Sequence, residues 1–143
     1  MSTTEQNVAI VQGFFDDVVN GGRIDLLDQY FAEDVLWTGG SLGERRGLAE
    51  NKAFMEANTQ GAFSGMHLDV KAFYPDGNTV VALFTNSGTH TGEFMGRPAT
   101  GKHAVWNGVD IYTIVDGRIA EARFVEDVLA MLFQLGVTQL PTV

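Results

Sequence analysis

Apolar positions recur at helical spacing in the first part of the chain and at strand spacing in the rest. Val8, Val11, Phe15, Val18 and Val19 fall on one helical face. Ser2 and Glu5 ahead of them form a capping-box pattern, and Asn20-Gly21-Gly22 supplies a stop. A short second helix is expected from Asp25, its cap, through Leu26, Leu27, Tyr30 and Phe31. Val35-Leu36-Trp37 reads as a short strand ended by Gly39-Gly40, and residues 41–47 read as a loop. From Leu48 to about Asn58 helical spacing returns, with Phe54 and Met55 on one side.

Beyond Gly61 the period becomes that of strands. His67 to Tyr74 predicts one, turned by Pro75-Asp76-Gly77-Asn78 into a long second strand from Thr79 to Thr91. The run Val80-Val81-Ala82-Leu83-Phe84 predicts burial on both faces of the sheet there. A third strand spans Lys102 to Val115, and Asp116-Gly117 makes a tight turn into a fourth, Gly117 to Val125. A helix is expected to follow directly, from Glu126 to Gly136. Helices first and antiparallel strands later imply an α+β fold, a curved antiparallel sheet with helices packed on one side.

The last hairpin makes a definite prediction. A two-residue Asp116-Gly117 turn with an unbroken ladder sets Asp110 opposite Arg123, Ile111 opposite Ala122 and Tyr112 opposite Glu121. Trp106, Gly108, Asp110 and Tyr112 would then share a face with Glu121, Arg123, Val125 and the approach to Asp127. Val109, Ile111, Ala122 and Phe124 would lie on the other. A slip of one residue would exchange the two sets.

Composition narrows the function classes. At 143 residues a single domain over 1–143 is expected, burying roughly 68% of its unfolded surface. Eighteen acidic against nine basic residues give a charge of −9, which argues against nucleic acid and anionic membrane as partners. Without cysteine there is no disulfide framework, thiol nucleophile or thiolate metal site. The polar start lacks a signal-peptide pattern and no apolar run approaches a membrane span, so a soluble cytoplasmic protein is the expectation.

Gly88-Thr89-His90-Thr91-Gly92-Glu93-Phe94, Gly96-Arg97-Pro98-Ala99-Thr100-Gly101-Lys102, Gly108-Val109-Asp110-Ile111-Tyr112 and Asp116-Gly117-Arg118-Ile119-Ala120-Glu121, closing with Asp127 and Gln134-Leu135-Gly136, together resemble the SnoaL-like polyketide cyclases of the nuclear transport factor 2-like superfamily. The resemblance implies a cone of bent antiparallel sheet, closed by the N-terminal helices, around one deep apolar pocket. It also implies a homodimer through the outer sheet face. Asp127 would correspond to the general acid/base of an intramolecular aldol ring closure that uses no metal or organic cofactor. Two departures stand out: Arg123 occupies a position the family usually gives to Trp, and Thr113 one it usually gives to Arg.

Several residues are candidates for chemistry. Asp127 lies at a strand-to-helix junction, where a carboxylate either caps the helix or looks into an apolar hollow with a tuned pKa. Asp110, between Val109 and Ile111, has to be paired, exposed or protonated. It forms either a structural ion pair with Arg123 or, with Arg123 and Asp127, a water-activating trio resembling the limonene-type epoxide hydrolases. His90 is either a group that hydrogen-bonds a substrate carbonyl or a solvated loop histidine. His67 and His103 show no ligand spacing, so no metal site is expected. Phe15, Trp37, Met55, Trp106 and Tyr112 are candidates to line a pocket for a small apolar or polycyclic substrate, and Phe14 and Phe54 are further possible walls. A cyclase or isomerase, an epoxide hydrolase and a non-catalytic ligand carrier are the three readings left open.

Overall fold

The computed structural model describes residues 3–139, without the side chains of Thr59 and Gln60. The capping pattern at Ser2 lies outside the described residues. Helix α1, Thr3–Phe14, runs on through a wider π-helical segment, Phe15–Asn20, which puts Val11, Phe14, Phe15 and Val18 into the core. Asp25 does not cap the second helix. It pairs with Arg23 at 2.9 Å instead, and α2 is one short turn, Leu27–Tyr30. Strand β1, Phe31–Thr38, is longer than its apolar triplet suggests because it pairs on both edges. The expected loop contains a short strand β2, Glu44–Arg46, which leads into α3, Gly47–Met55, and a second π-helical segment, Glu56–Gly61.

Four long strands follow: β3, Phe63–Asp76, β4, Thr79–His90, β5, His103–Val115, and β6, Arg118–Glu126. The short helix α4, Val128–Gln134, closes the described chain. The sheet order is β2-β1-β6-β5-β4-β3. The pairing is antiparallel except between β1 and β6, which run parallel, so the sheet is mixed rather than wholly antiparallel. The parallel contact arises because β1 enters the sheet from the N-terminal helices rather than from a hairpin. Register breaks in β3, between β1 and β6, and in β6 supply the extra residues that bend a sheet, and the sheet curves without closing.

Strand β4 corrects one expectation. Its burial alternates strictly, with Val80, Ala82, Phe84, Asn86 and His90 inward and Val81 and Leu83 only half-covered. The apolar run therefore marks one buried face and one apolar outer face. The concave face and helices α1 and α3 enclose the main core, with Phe14 and Phe15 set edge-on to Tyr112 at 6.2 and 5.9 Å. A second cluster of Phe63, Phe94, Trp106, Met131 and Leu135 continues it beneath α4. No helix among the described residues is long and apolar enough to cross a membrane.

Candidate active site

Which side chains face the interior is decided at the β5–β6 hairpin. Asp116 and Gly117 both have positive φ, 50° and 76°, as a tight two-residue turn whose twist matches the strands requires. Val115 pairs with Arg118 and Ile114 with Ile119, as the turn dictates. The next pair is Thr113 with Glu121, so Ala120 is an extra residue, a β-bulge. From there Tyr112 faces Ala122, Asp110 faces Phe124 and Gly108 faces Glu126. Because strand side chains alternate, one inserted residue turns the rest of β6 over. Ala122, Phe124 and Glu126 join Asp110 and Tyr112 inside, while Glu121, Arg123 and Val125 go outside.

The interior holds a cavity of about 810 Å³, its open mouth included, between the concave sheet and α1 and α3. Aromatic rings make half of the wall, among them Phe14, Phe15, Trp37 and Phe124. Polar groups are few: Asn51, Asn58, Asn86, Asp110, Tyr112, Glu126 and the Trp106 indole, with no Lys, Arg or His in the lining.

Two carboxyl groups on the β5–β6 hairpin, Asp110 and Glu126, line one side. Asp110 is 1% exposed. Its Oδ2 accepts the Tyr112 hydroxyl at 2.7 Å, and its Oδ1 is buried without a partner. Burial pushes the Asp110 pKa well above the ordinary carboxylate range, and the nearby Glu126 charge adds to the push, against the Tyr112 hydrogen bond. Tyr112 is raised as well, by burial first and then by Asp110. Glu126 Oε1 accepts the Trp106 indole N–H at 3.0 Å and the Asn86 amide at 3.5 Å. Its pKa is raised by burial, with those two donors acting in the opposite direction. Gly108 makes room for it: a Cβ there would sit 2.4 Å from Phe84 Cζ and 2.9 Å from Glu126 Cγ.

The residues singled out from sequence are placed as follows. Phe15, Trp37, Met55, Trp106 and Tyr112 all line the cavity. Asp110 is inside but unpaired with Arg123, because the bulge sets Phe124 opposite it. Arg123 is exposed and binds Glu121 at 2.8 Å. Asp127 does not look inward: its carboxylate is exposed and caps α4, Oδ1 accepting the Ala130 N–H at 3.0 Å. The strand ends one residue before it, at the inward-facing Glu126, so Asp127 falls to the surface side. Asp110, Arg123 and Asp127 are therefore not assembled as a trio. His90 is buried at the end of β4, neither solvated nor part of the cavity wall. Its Nδ1 lies 3.0 Å from the Thr100 hydroxyl, while its Nε2 has no partner. Among the described residues no group of three His, Asp or Glu side chains is placed to hold a metal ion.

Glu126, Asn86 and the amides Asn51 and Asn58 escaped the sequence reading. One signal for Glu126 was present. Ile119 and the pair Ala122 and Phe124 have opposite parity, as an inserted residue between them produces when both face inward, while Val125 keeps the parity of Ile119 and masks the signal.

Comparison with known proteins agrees with this architecture. The family model described as SnoaL-like polyketide cyclase matches residues 9–135. The aklanonic acid methyl ester cyclase DauD of Streptomyces sp. (strain C5) is 31% identical over 123 residues, spanning 84% of this chain and 76% of that protein. DnrD of Streptomyces peucetius, also an aklanonic acid methyl ester cyclase, is 31% identical over 123 residues, spanning 84% of each. A crystal structure from Jannaschia sp. CCS1, described as a SnoaL-like polyketide cyclase, superposes with a TM-score of 0.87 at 24% identity, covering 97% of this chain and 98% of that one, and so supports the fold. A match over nearly the whole chain, to relatives named as cyclases, shows that this protein belongs to the SnoaL-like polyketide cyclase family.

Proposed function

We propose that the chain closes a ring in a flat, largely apolar polyketide-type substrate by acid–base chemistry alone, with the inward carboxyl groups Asp110 and Glu126 moving the protons. An intramolecular aldol closure has modest needs. A proton leaves the carbon α to a carbonyl, the resulting enolate carbon bonds to a second carbonyl carbon of the same molecule, and the new alkoxide takes a proton. Nothing is oxidised and no atom is gained or lost, so neither a metal nor an organic cofactor is required. Substrate and product are isomers. The aromatic walls suit a planar ligand, and Phe15, Trp37, Met55, Trp106 and Tyr112 are its proposed contacts.

The observation that carries this reading is Asp110: an almost fully buried carboxyl with one oxygen unpartnered, on the wall of an aromatic cavity, in a chain of this family. The reading transfers the acid–base role from Asp127, whose carboxylate is engaged as a helix cap. The test is conversion of a polyketide methyl ester such as the substrate named for DauD and DnrD. Asp110→Asn is expected to lower kcat by about 10²–10⁴-fold. Asp127→Asn should keep turnover, since Asn is as good a cap as Asp. The opposite pattern would return the chemistry to Asp127. Failure to convert any such ester, with tight binding retained, would favour a ligand carrier.

A homodimer through the outer sheet face belongs to the same reading. It is supported by Val105, Val125, Leu129 and Phe133, which stand between 44% and 63% exposed on β5, β6 and α4.

A further inference from the structure

We infer that the two carboxyl groups hold different, fixed protonation states: Glu126 is the ionised member and proton acceptor, and Asp110 is a neutral acid whose Oδ1–H donates to the substrate oxygen on which charge develops. The division of roles rests on the cyclase reading above; the protonation states do not.

The hydrogen-bond partners differ in kind. Trp106 Nε1–H can only donate, and Asn86 is oriented by the Ser87 N–H, which binds its Oδ1 at 2.9 Å and so turns its Nδ2 to Glu126. Glu126 Oε1 thus meets two fixed donors, which favours a carboxylate. Glu126 is also half-buried and stands beside two outer grooves, one at residues 38–42 and one at Asn107 and Asp127.

Asp110 has none of this. One hydroxyl, from Tyr112, serves Oδ2, and Oδ1 is left alone among aromatic rings. An ionised carboxylate there would carry an unsolvated lone oxygen, whereas a neutral acid places a usable proton at that atom. Asp110 and Glu126 are also diagonal neighbours across the β5–β6 ladder, roughly 7–8 Å apart in such pairings, so both cannot be charged cheaply. The reverse assignment would aim two N–H donors at a neutral acid and strand the ion in the aromatic box. The groups facing the pair from β4, β1, α1 and α3 are aromatic, aliphatic or amide. Tyr112 is the remaining titratable group in the lining.

The step balances. Glu126 takes the α-proton, the enolate carbon bonds to the carbonyl carbon, the carbonyl π electrons move to oxygen, and the Asp110 proton passes to that oxygen. Proton return from Glu126 to Asp110, through product or water, restores both groups. A neutral carboxylic acid donating into an apolar site has a precedent in ketosteroid isomerase.

Carbon-13 NMR of the substrate-free protein tests the assignment. Aspartate labelled at Cγ and glutamate labelled at Cδ are observed in separate samples, and Asp110→Asn and Glu126→Gln serve to assign resonances. At pH 7 one aspartate Cγ is expected in its neutral form and should be missing from Asp110→Asn, while the Glu126 Cδ is expected ionised. Even if a variant fails to fold, the native spectra decide, because Asp110 is the buried aspartate among the described residues. An ionised Asp110 at pH 7, or a neutral Glu126, would overturn the inference. Correct protonation states without conversion of any polyketide ester would instead remove the cyclase reading and leave the assignment standing. Conversion with the states reversed would do the opposite.

Discussion

A single carboxyl carries a stability cost that can be measured apart from catalysis. Asp110 has its pKa raised in the folded protein, chiefly by burial, so the folded state holds this proton at pH values where the unfolded chain has released it. Stability must then fall as pH rises from the unfolded value, about 4, towards the folded one. Glu126, also raised, contributes a slope of the same sign. Asp110→Asn keeps the shape and removes one of these slopes. It is expected to melt above the native protein at pH 8, with the difference shrinking towards nothing near pH 4. Thermal melts across that range check it, and equal melting temperatures at pH 8 would mean that Asp110 is not held neutral. Residues that weaken the fold while furnishing a reactive proton are common at active sites.

Among the secondary-structure elements, β6 matters most. The hairpin turn sets a register that would carry Arg123 and Val125 into the core, and the bulge at Ala120 cancels it after two pairs. Ala122 and Phe124 are buried or half-buried as a result, and Arg123 is free to bind Glu121 outside. Deleting Ala120 would force either a buried guanidinium without its carboxylate or a new bulge elsewhere. Loss of a cooperative thermal transition in that deletion variant is the expected result. A near-native melting temperature would show that the bulge is incidental. Gly108 belongs to the same device, since the Glu126 side chain crosses β5 where any Cβ would collide with it.

For the whole molecule, two opposing forces govern association. The net charge of −9 opposes contact between copies, whereas the apolar outer face, with Val125 at 63% exposure, favours it. Short-range burial should win at moderate salt, where a Debye length of about 10 Å or less screens the repulsion. Sedimentation in 0.15 M salt is expected to show a dimer, with Val125→Asp shifting it to monomer. A monomeric native protein at tens of micromolar would remove the homodimer proposal. Asp110 and Glu126 lie on the opposite, concave face, so this variant should keep its cavity.

The sequence alone determined a good deal, because local rules were sufficient for it. Helical spacing placed α1 and α3, turn chemistry at Pro75-Asp76-Gly77-Asn78 and Asp116-Gly117 placed both hairpins (the first turn being tighter than read, with Pro75 and Asp76 still paired in β3), and the ordered glycine motifs pointed to the family. Alternation within β5 placed Trp106, Asp110 and Tyr112 on one face, as found. The tertiary structure decided the rest. A bulge inserts one backbone residue with little local signature, yet it inverts every side chain beyond it, so the sequence reading aimed Arg123 and Asp127 inward where Phe124 and Glu126 stand. The parallel β1–β6 pairing was equally hidden, since it joins segments far apart in the chain through backbone hydrogen bonds that no side chain announces. Whether an acidic residue near a strand end caps a helix or lines a cavity turns on the parity of one strand, and that parity is fixed by the sheet as a whole.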